Sequence, residues 1–342
     1  MVTTRSRKRS YDSIEEGKAT DKKDGNRASD EASKKTRRTN RNEQTPAKPE
    51  TTAKETDMKQ LKSIKDADIP KFVDKLLKEA GIEATKTQNG WCLKDAMTHI
   101  LKADNGRMFP LVEQHGAPKI FASLHHCKNS TGEATEAATE PKNCFESLCR
   151  IVAGQQLAGA AASAMWRRLL ETADGKLTAE KVLELVEKGG LEEGLRKPAG
   201  LSNAKARSIV NIAQAFHKGD LSEAFLKKSE EQRIRKELIK IKGIGPWSCD
   251  MFCMFFLELP DVFPVGDLGV RVGMKKYFNL KGSYKHGYLC QKKDLEKMEN
   301  AVGSFAPYRS VVAYYMWKVA DTKDVYHSNS DSKSQSAKKR KT

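Results

Sequence analysis

Around residue 240 the apolar positions Ile234, Leu238 and Ile241 recur at helical spacing, and Gly243-Ile244-Gly245-Pro246 then breaks the pattern. Ser248 to Leu257 restores an apolar helical run until Leu259-Pro260 stops it. The pattern predicts a helix, a tight glycine turn and a second helix, a helical hairpin over residues 234–257. A new segment follows, Asp261-Val-Phe-Pro-Val-Gly-Asp267-Leu-Gly-Val-Arg271, with Asp267 at a loop-to-helix junction. Ser202, ahead of Asn203-Ala-Lys-Ala-Arg, reads as another helix N-cap. Strand-like alternations such as Val262-Phe263 are too short to build a sheet, so the expected fold is all-α.

Other parts of the chain lack any period. Residues 1–65 and 323–342 are polar, with scattered apolar residues, and are expected to be disordered tails around a domain spanning 66–322. Residues 125–142, rich in Ser, Thr, Gly and Ala, read as a surface loop. The domain, about 260 residues long, is large enough for one helical domain or two lobes.

Charge adds a partner. The net charge is +17, of which the first 59 residues carry +5 and those after Ala320 carry +3, leaving about +9 on the folded part. A basic domain suits dense phosphates and predicts binding that weakens steeply with salt. Thr4-Arg-Ser-Arg-Lys-Arg9 and Lys338-Lys-Arg-Lys341 read as nuclear-import signals, although tails that simply add nonspecific DNA affinity have the same composition. The basic, Ser-rich start without an apolar stretch excludes a secretory signal, and its acids argue against a mitochondrial one. No run of 18 apolar residues exists, so no membrane partner is expected. Nucleus and monomer are the expected location and state.

The hairpin and the junction carry the chemistry. Two glycines let the backbone turn sharply and come close to a ligand, and the second helix presents unpaired N–H groups at its positive end, which suits a phosphate. An ordinary αα-hairpin has the same pattern. Asp267 is a natural N-cap, and a carboxylate there can also stabilise a developing cation.

Taken together, Gly243-Ile-Gly245 and the run Phe263-Pro-Val-Gly-Asp267 some twenty residues on resemble the signature of the helix-hairpin-helix DNA glycosylases. Phe145–Arg168, with Gly154-Gln-Gln156 within it, is similar to that family's long helix pair and its junction; Gly200–Ile209 and Trp91–Asp104 resemble two further helices, and the likeness runs from about Trp91 to Ala320. The resemblance implies a two-lobed helical bundle that acts on damaged duplex DNA. Asp267 takes the place of the essential aspartate, which stabilises the sugar cation as the base departs and helps to orient the attacking water. Gly243, Ile244, Gly245, Ser248 and Lys242 fall where the hairpin holds a backbone phosphate, flanked by Lys240. A monovalent cation on the hairpin backbone at Ile241 and Gly243 belongs to the same picture. Gln156 or Leu157 would be the side chain that wedges into the minor groove as the base flips out. Lys205 or Arg207 would reach phosphate, and a solvated charged face accounts for both equally well.

Strand cleavage needs an amine, and bifunctional members carry Lys two residues after the second glycine. Here that residue is Trp247, so the sequence resembles the monofunctional, alkylation-repair branch, whose product is an abasic site. Alkylated purines carry positive charge, leave readily and stack on aromatic faces, which makes Trp247 and Trp317 candidate pocket walls, with plain core packing as the alternative for each. Met251 stands where a bacterial member has a tyrosine, which leaves the pocket's breadth open. The expected substrates are 3-methyladenine and 7-methylguanine. A glycosylase for deaminated or oxidised bases, or a catalytically silent DNA-binding module, are the alternatives.

Seven cysteines suit free thiols in this setting. Cys249 and Cys253 share a helix face, but their apolar neighbours mark them as core rather than metal ligands. The four-cysteine cluster of some branches is absent from the sequence, which argues against an iron–sulfur cofactor.

Overall fold

A computed structural model of the protein describes residues 64–82, 90–121, 141, 143–157, 159–284 and 287–322. Both expected tails, except residues 64 and 65, and the loop expected at 125–142, except residue 141, lie outside the described residues. The regular elements among the described residues are all helical. None of these helices is long and apolar enough to cross a membrane.

Local signals start the helices. Helix α1 (Ile69–Glu79) has Pro70 in its first turn and buries Ile69, Val73, Leu76 and Leu77, a stripe at helical spacing. Helix α2 (Leu93–Ala103) buries Leu93, Ala96, Met97, Ile100 and Leu101 in the same manner, and α3 (Phe109–His115) follows. Asn143 caps α4 (Cys144–Gly154) by accepting from the Glu146 N–H at 2.8 Å. After α5 (Gly159–Thr172), Thr178 caps α6 (Ala179–Gly189) and Ser202 caps α7 (Asn203–His217), as its sequence context predicts. Ser222 caps α8 (Glu223–Lys228), and α9 (Glu231–Ile239) leads into the glycine turn.

The second hairpin helix is not uniform. It runs as an α-helix, α10 (Pro246–Met251), then widens into π-type turns over Phe252–Phe256, where the Leu257 N–H reaches the Phe252 carbonyl at 3.0 Å. The chain then enters α11 (Leu268–Tyr277), α12 (Leu295–Val302) and α13 (Arg309–Asp321).

These helices sort into two groups. Helices α1 to α3 pack with α11 and α13, so the two ends of the domain form one group, while α4 to α8 form the other and α9 packs on α10. The hairpin helix α10 and its π continuation touch α4 and carry the chain back toward the first group. Buried Trp91 marks that return, its indole N–H donating to the Glu258 carbonyl at 2.7 Å. The expected two-lobed, all-α bundle is the architecture observed.

The contact that positions the site is between α11 and α13. A Cβ on Gly273 would lie 1.9 Å from the Met316 carbonyl oxygen, so the two helices approach at a distance only glycine permits. Arg309, at the start of α13, grips Asp261 through two 2.6 Å hydrogen bonds, and Ser310 Oγ accepts from the Val262 N–H at 2.9 Å while donating to the Leu259 carbonyl at 2.6 Å. The segment before Asp267 is thereby fixed to α13.

Candidate active site at the start of helix α11

Asp267 caps α11, its Oδ1 accepting from the Val270 N–H at 2.9 Å. The capping role read from the sequence is one part of its environment. The indole N–H of Trp247 donates to Oδ2 at 2.8 Å, and the indole N–H of Trp317 donates to Oδ1, also at 2.8 Å. One half-buried carboxylate thus holds together the hairpin, α11 and α13. Three N–H donors fix its orientation and suit its ionised form, a fixed negative charge of the kind that stabilises a nearby cation.

Neighbours make this geometry. A Cβ on Gly269 would meet Trp317 Cδ1 at 2.7 Å and Asp267 Oδ1 at 3.2 Å, so a glycine there lets the indole reach the carboxylate. Arg271, one turn into α11, folds back to donate to the Val265 and Gly266 carbonyls at 2.9 and 2.8 Å, locking the loop that presents Asp267. Phe255 stacks on Trp317 with ring centroids 5.6 Å apart. Met251 is buried, on the same helix as Trp247.

The hairpin turn is built around Gly243. Its φ of +106° lies in the region that favours glycine, and a Cβ there would fall 1.9 Å from Ser208 Oγ on α7. Gly245 differs: a Cβ on it would meet nothing within 4 Å, so this glycine keeps open the space in front of α10. No side chain caps α10, while buried Ile244 plugs the turn into the core. Lys242 is exposed beside the turn, and Lys240 pairs with Glu237 at 2.5 Å.

A residue to which the sequence reading gave no task of its own ties the hairpin to the α4–α5 junction. Gln155 Nε2 donates to the Gly243 carbonyl at 3.1 Å and to Ser248 Oγ at 3.0 Å. Ser248 is buried under this contact. Next to Gln155, Gln156 is exposed with a φ of +58°, and Leu157 is an exposed apolar side chain. Lys205 points the other way, its ammonium donating to the Ala153 carbonyl at 2.8 Å, and burial pulls its pKa down. It thus caps the end of α4, while Arg207 is exposed and donates to Asn203.

Both carbonyls expected to hold a monovalent cation already accept a protein hydrogen bond, Ile241 from the Ile244 N–H and Gly243 from Gln155. Each keeps a lone pair, so the turn accommodates such an ion without requiring it. Among the described residues no group of three or more His, Cys, Asp and Glu could hold a metal ion. Cys249 and Cys253 are buried core residues, and burial pushes both thiols up, Cys249 to about 12. A cavity of about 520 Å³ lies behind the hairpin, lined by Asn211, Gln214, Lys218 and Lys240 among others, and includes neither Asp267 nor either tryptophan.

Residues 149–297, from α4 through α12, match the family model of the HhH-GPD superfamily base excision DNA repair proteins. Over that span the chain is similar to that superfamily. The matched span contains the α4–α5 junction, the glycine hairpin and Asp267, and Trp317 lies beyond it. The chain is 27% identical to a DNA-3-methyladenine glycosylase of Saccharomyces cerevisiae over 66% of its own length and 79% of that protein's. It is 29% identical to DNA-3-methyladenine glycosylase 1 of Schizosaccharomyces pombe, covering 54% of this chain and 76% of that one. Among solved structures it resembles a DNA-3-methyladenine glycosidase from Bacillus halodurans, with 29% identity, a TM-score of 0.47, and coverage of 66% of this chain and 89% of that one.

Proposed function

We propose that the protein is a monofunctional DNA glycosylase that hydrolyses the N-glycosidic bond of alkylated purines flipped out of duplex DNA and leaves an abasic site. The observation that carries this reading is the Asp267 carboxylate, held by the Trp247 and Trp317 indoles at the start of α11. The names of the yeast relatives point to 3-methyladenine, and 7-methylguanine is proposed beside it because methylation of a ring nitrogen gives that base the same positive charge.

Each part then has a task. The hairpin receives a backbone phosphate at the open space before Gly245, with Lys242 at its side, and Gln155 couples this grip to the junction. Gln156 or Leu157 enters the stack as the damaged base leaves it, which offsets part of the few kcal/mol that extrusion costs. The cationic base lies against indole and needs little acid catalysis, because its positive charge already weakens the bond to the sugar. As that bond breaks, the fixed carboxylate stabilises the oxocarbenium-like sugar, and water adds to it. Trp247 occupies the position of the hairpin lysine and its N–H serves Asp267, so no amine stands there to open the sugar. We place the protein in the nucleus, acting as a monomer, with the basic tails as its import signals.

The test compares wild type with Asp267→Asn on duplex DNA alkylated by methyl methanesulfonate, reading released bases by chromatography and binding to an abasic-site duplex in parallel. An Asn side chain still caps α11, so the variant is expected to fold and bind. Release of 3-methyladenine or 7-methylguanine by wild type alone is the expected result. Binding by both proteins with release by neither would sink the alkylpurine reading and leave another lesion or a silent DNA-binding module.

A further inference from the structure

We infer that the loop between α11 and α12, through residues 281–284 and 287–293, is a third grip on the DNA, beside the catalytic aspartate and separate from the hairpin and the wedge. This inference rests on the glycosylase reading. Its first support is exposure: Tyr284 and Tyr288 are 63% and 45% exposed, two of the few large hydrophobic side chains among the described residues left so open to water. Single exposed apolar residues are common, but two aromatic rings set by one turn form a surface.

The described residues on either side of that turn are tied together. The Tyr284 N–H donates to the Tyr288 carbonyl and the Gly287 N–H to the Tyr284 carbonyl, both at 3.0 Å. Gly282 has no room for a side chain, since a Cβ would lie 2.0 Å from the Tyr288 carbonyl oxygen. Both ends of the loop are tied to Asp294, which is 1% exposed and accepts from the Ser283 N–H and hydroxyl at 2.8 and 2.6 Å and from the Cys290 N–H at 2.8 Å. Burial would push this carboxyl up, but hydrogen bonds from Ser283 and Cys290 hold it far below the usual range, so the anchor stays charged.

Charge and place identify the partner. Among the described residues between Asn279 and Lys293 there is no acid, and three lysines, Lys281, Lys292 and Lys293, are exposed. Lys275 reaches over the Tyr288 ring, 5.2 Å from its centre. The loop's far end lies against the site, because a Cβ on Gly266 would sit 3.3 Å from Gln291 Nε2 and 3.7 Å from Trp247 Cβ. On this proposal, a duplex that brings a sugar to Asp267 extends from Gln291 over the rest of the loop. Lysines there neutralise phosphates, and exposed tyrosines offer rings to sugars and bases and hydroxyls to phosphate oxygens.

The experiment uses the full chain and an abasic-site duplex, with affinity read by fluorescence anisotropy across a salt series for wild type, Tyr284→Ala/Tyr288→Ala and Lys281→Gln/Lys292→Gln/Lys293→Gln. The tyrosine variant is expected to bind about tenfold or more weakly. The lysine variant is expected to flatten the salt dependence by roughly one unit of slope for each phosphate it no longer neutralises. In base release, both losses should fall on KM rather than kcat. All these side chains project to solvent, so thermal melting should match wild type and exclude misfolding. Wild-type affinity and salt slope in both variants would overturn the proposal, as would a loss confined to kcat. Base release by wild type is scored separately, so a protein that grips DNA through the loop but releases no base sinks the glycosylase reading and leaves the loop's role intact.

Discussion

The Trp317 indole N–H lies 2.8 Å from Asp267 Oδ1, a contact between residues fifty positions apart on different helices. Its counterpart from Trp247 holds the other carboxylate oxygen at the same distance. Hydrogen bonds to an ionised group contribute about 1.5–3 kcal/mol, so an indole that only walled a pocket and one that also orients the carboxylate differ measurably. Trp317→Phe and Trp247→Phe keep an aromatic ring and remove the N–H. Each is expected to lower the single-turnover rate of base release about 10- to 100-fold, with abasic-site binding nearly retained. A rate within about twofold of wild type would assign the indoles to packing alone.

The two glycines of α11 should separate stability from catalysis. A methyl group on Gly273 collides with the Met316 backbone, which cannot move without parting α11 from α13. Gly273→Ala is therefore expected to cost at least 1–3 kcal/mol of folding stability. At Gly269 the obstacle is the edge of the Trp317 indole, and a side chain can swing aside. Gly269→Ala should keep most of the stability and lose base release as the indole leaves Asp267. Urea unfolding and single-turnover release on both proteins would check the split, and equal effects on both measures would refute it.

The hairpin glycines divide in a similar way. Gly243→Ala places a Cβ at a φ of +106° and against Ser208, so the turn should distort and the domain lose about 1–3 kcal/mol. Gly245→Ala meets open space and an ordinary extended backbone, with φ −109° and ψ −179°, and should fold as wild type does. Its methyl group stands where the phosphate is proposed to approach. Binding to an abasic duplex should therefore fall several-fold in Gly245→Ala at unchanged melting temperature. Unaltered binding would place the phosphate elsewhere.

Much of this site was legible in the order of residues, because its devices are local. The glycine turn announces itself by breaking a helical period, and Asp267 and Ser202 by standing just ahead of helices. The rest depends on what the fold brings together. Gln155 was legible as a junction residue, but its grip on Gly243 and Ser248 joins positions some ninety apart. Lys205 looked like a phosphate ligand because its spacing gives its charge and not its direction, and the fold turns it onto the Ala153 carbonyl. The Gly269–Gly273 pair, small residues one helical turn apart, carries no signal of its own in the sequence and acquires meaning only once α13 lies against it. The π turns at Phe252–Phe256 keep an apolar run helical while changing its pitch, which hydrophobic periodicity does not register.

Glu258 makes folding sensitive to pH. The side chain is 2% exposed, just where the chain leaves the π turns with a φ of +50°, and burial pushes its carboxyl up from 4.5 to about 7. The folded state therefore holds this proton more tightly than the unfolded chain. Below about pH 4.5 both states are protonated and the residue carries no ionisation penalty. As the pH rises from 4.5 to 7 the unfolded chain ionises first and stability falls; above 7 the loss is complete, on the order of 3 kcal/mol. Glu258→Gln removes the titration and keeps the shape. It is expected to unfold at a higher urea concentration than wild type at pH 8, by an amount that shrinks steadily toward pH 5. An advantage independent of pH would mean that packing, and not the proton, sets the cost of this residue.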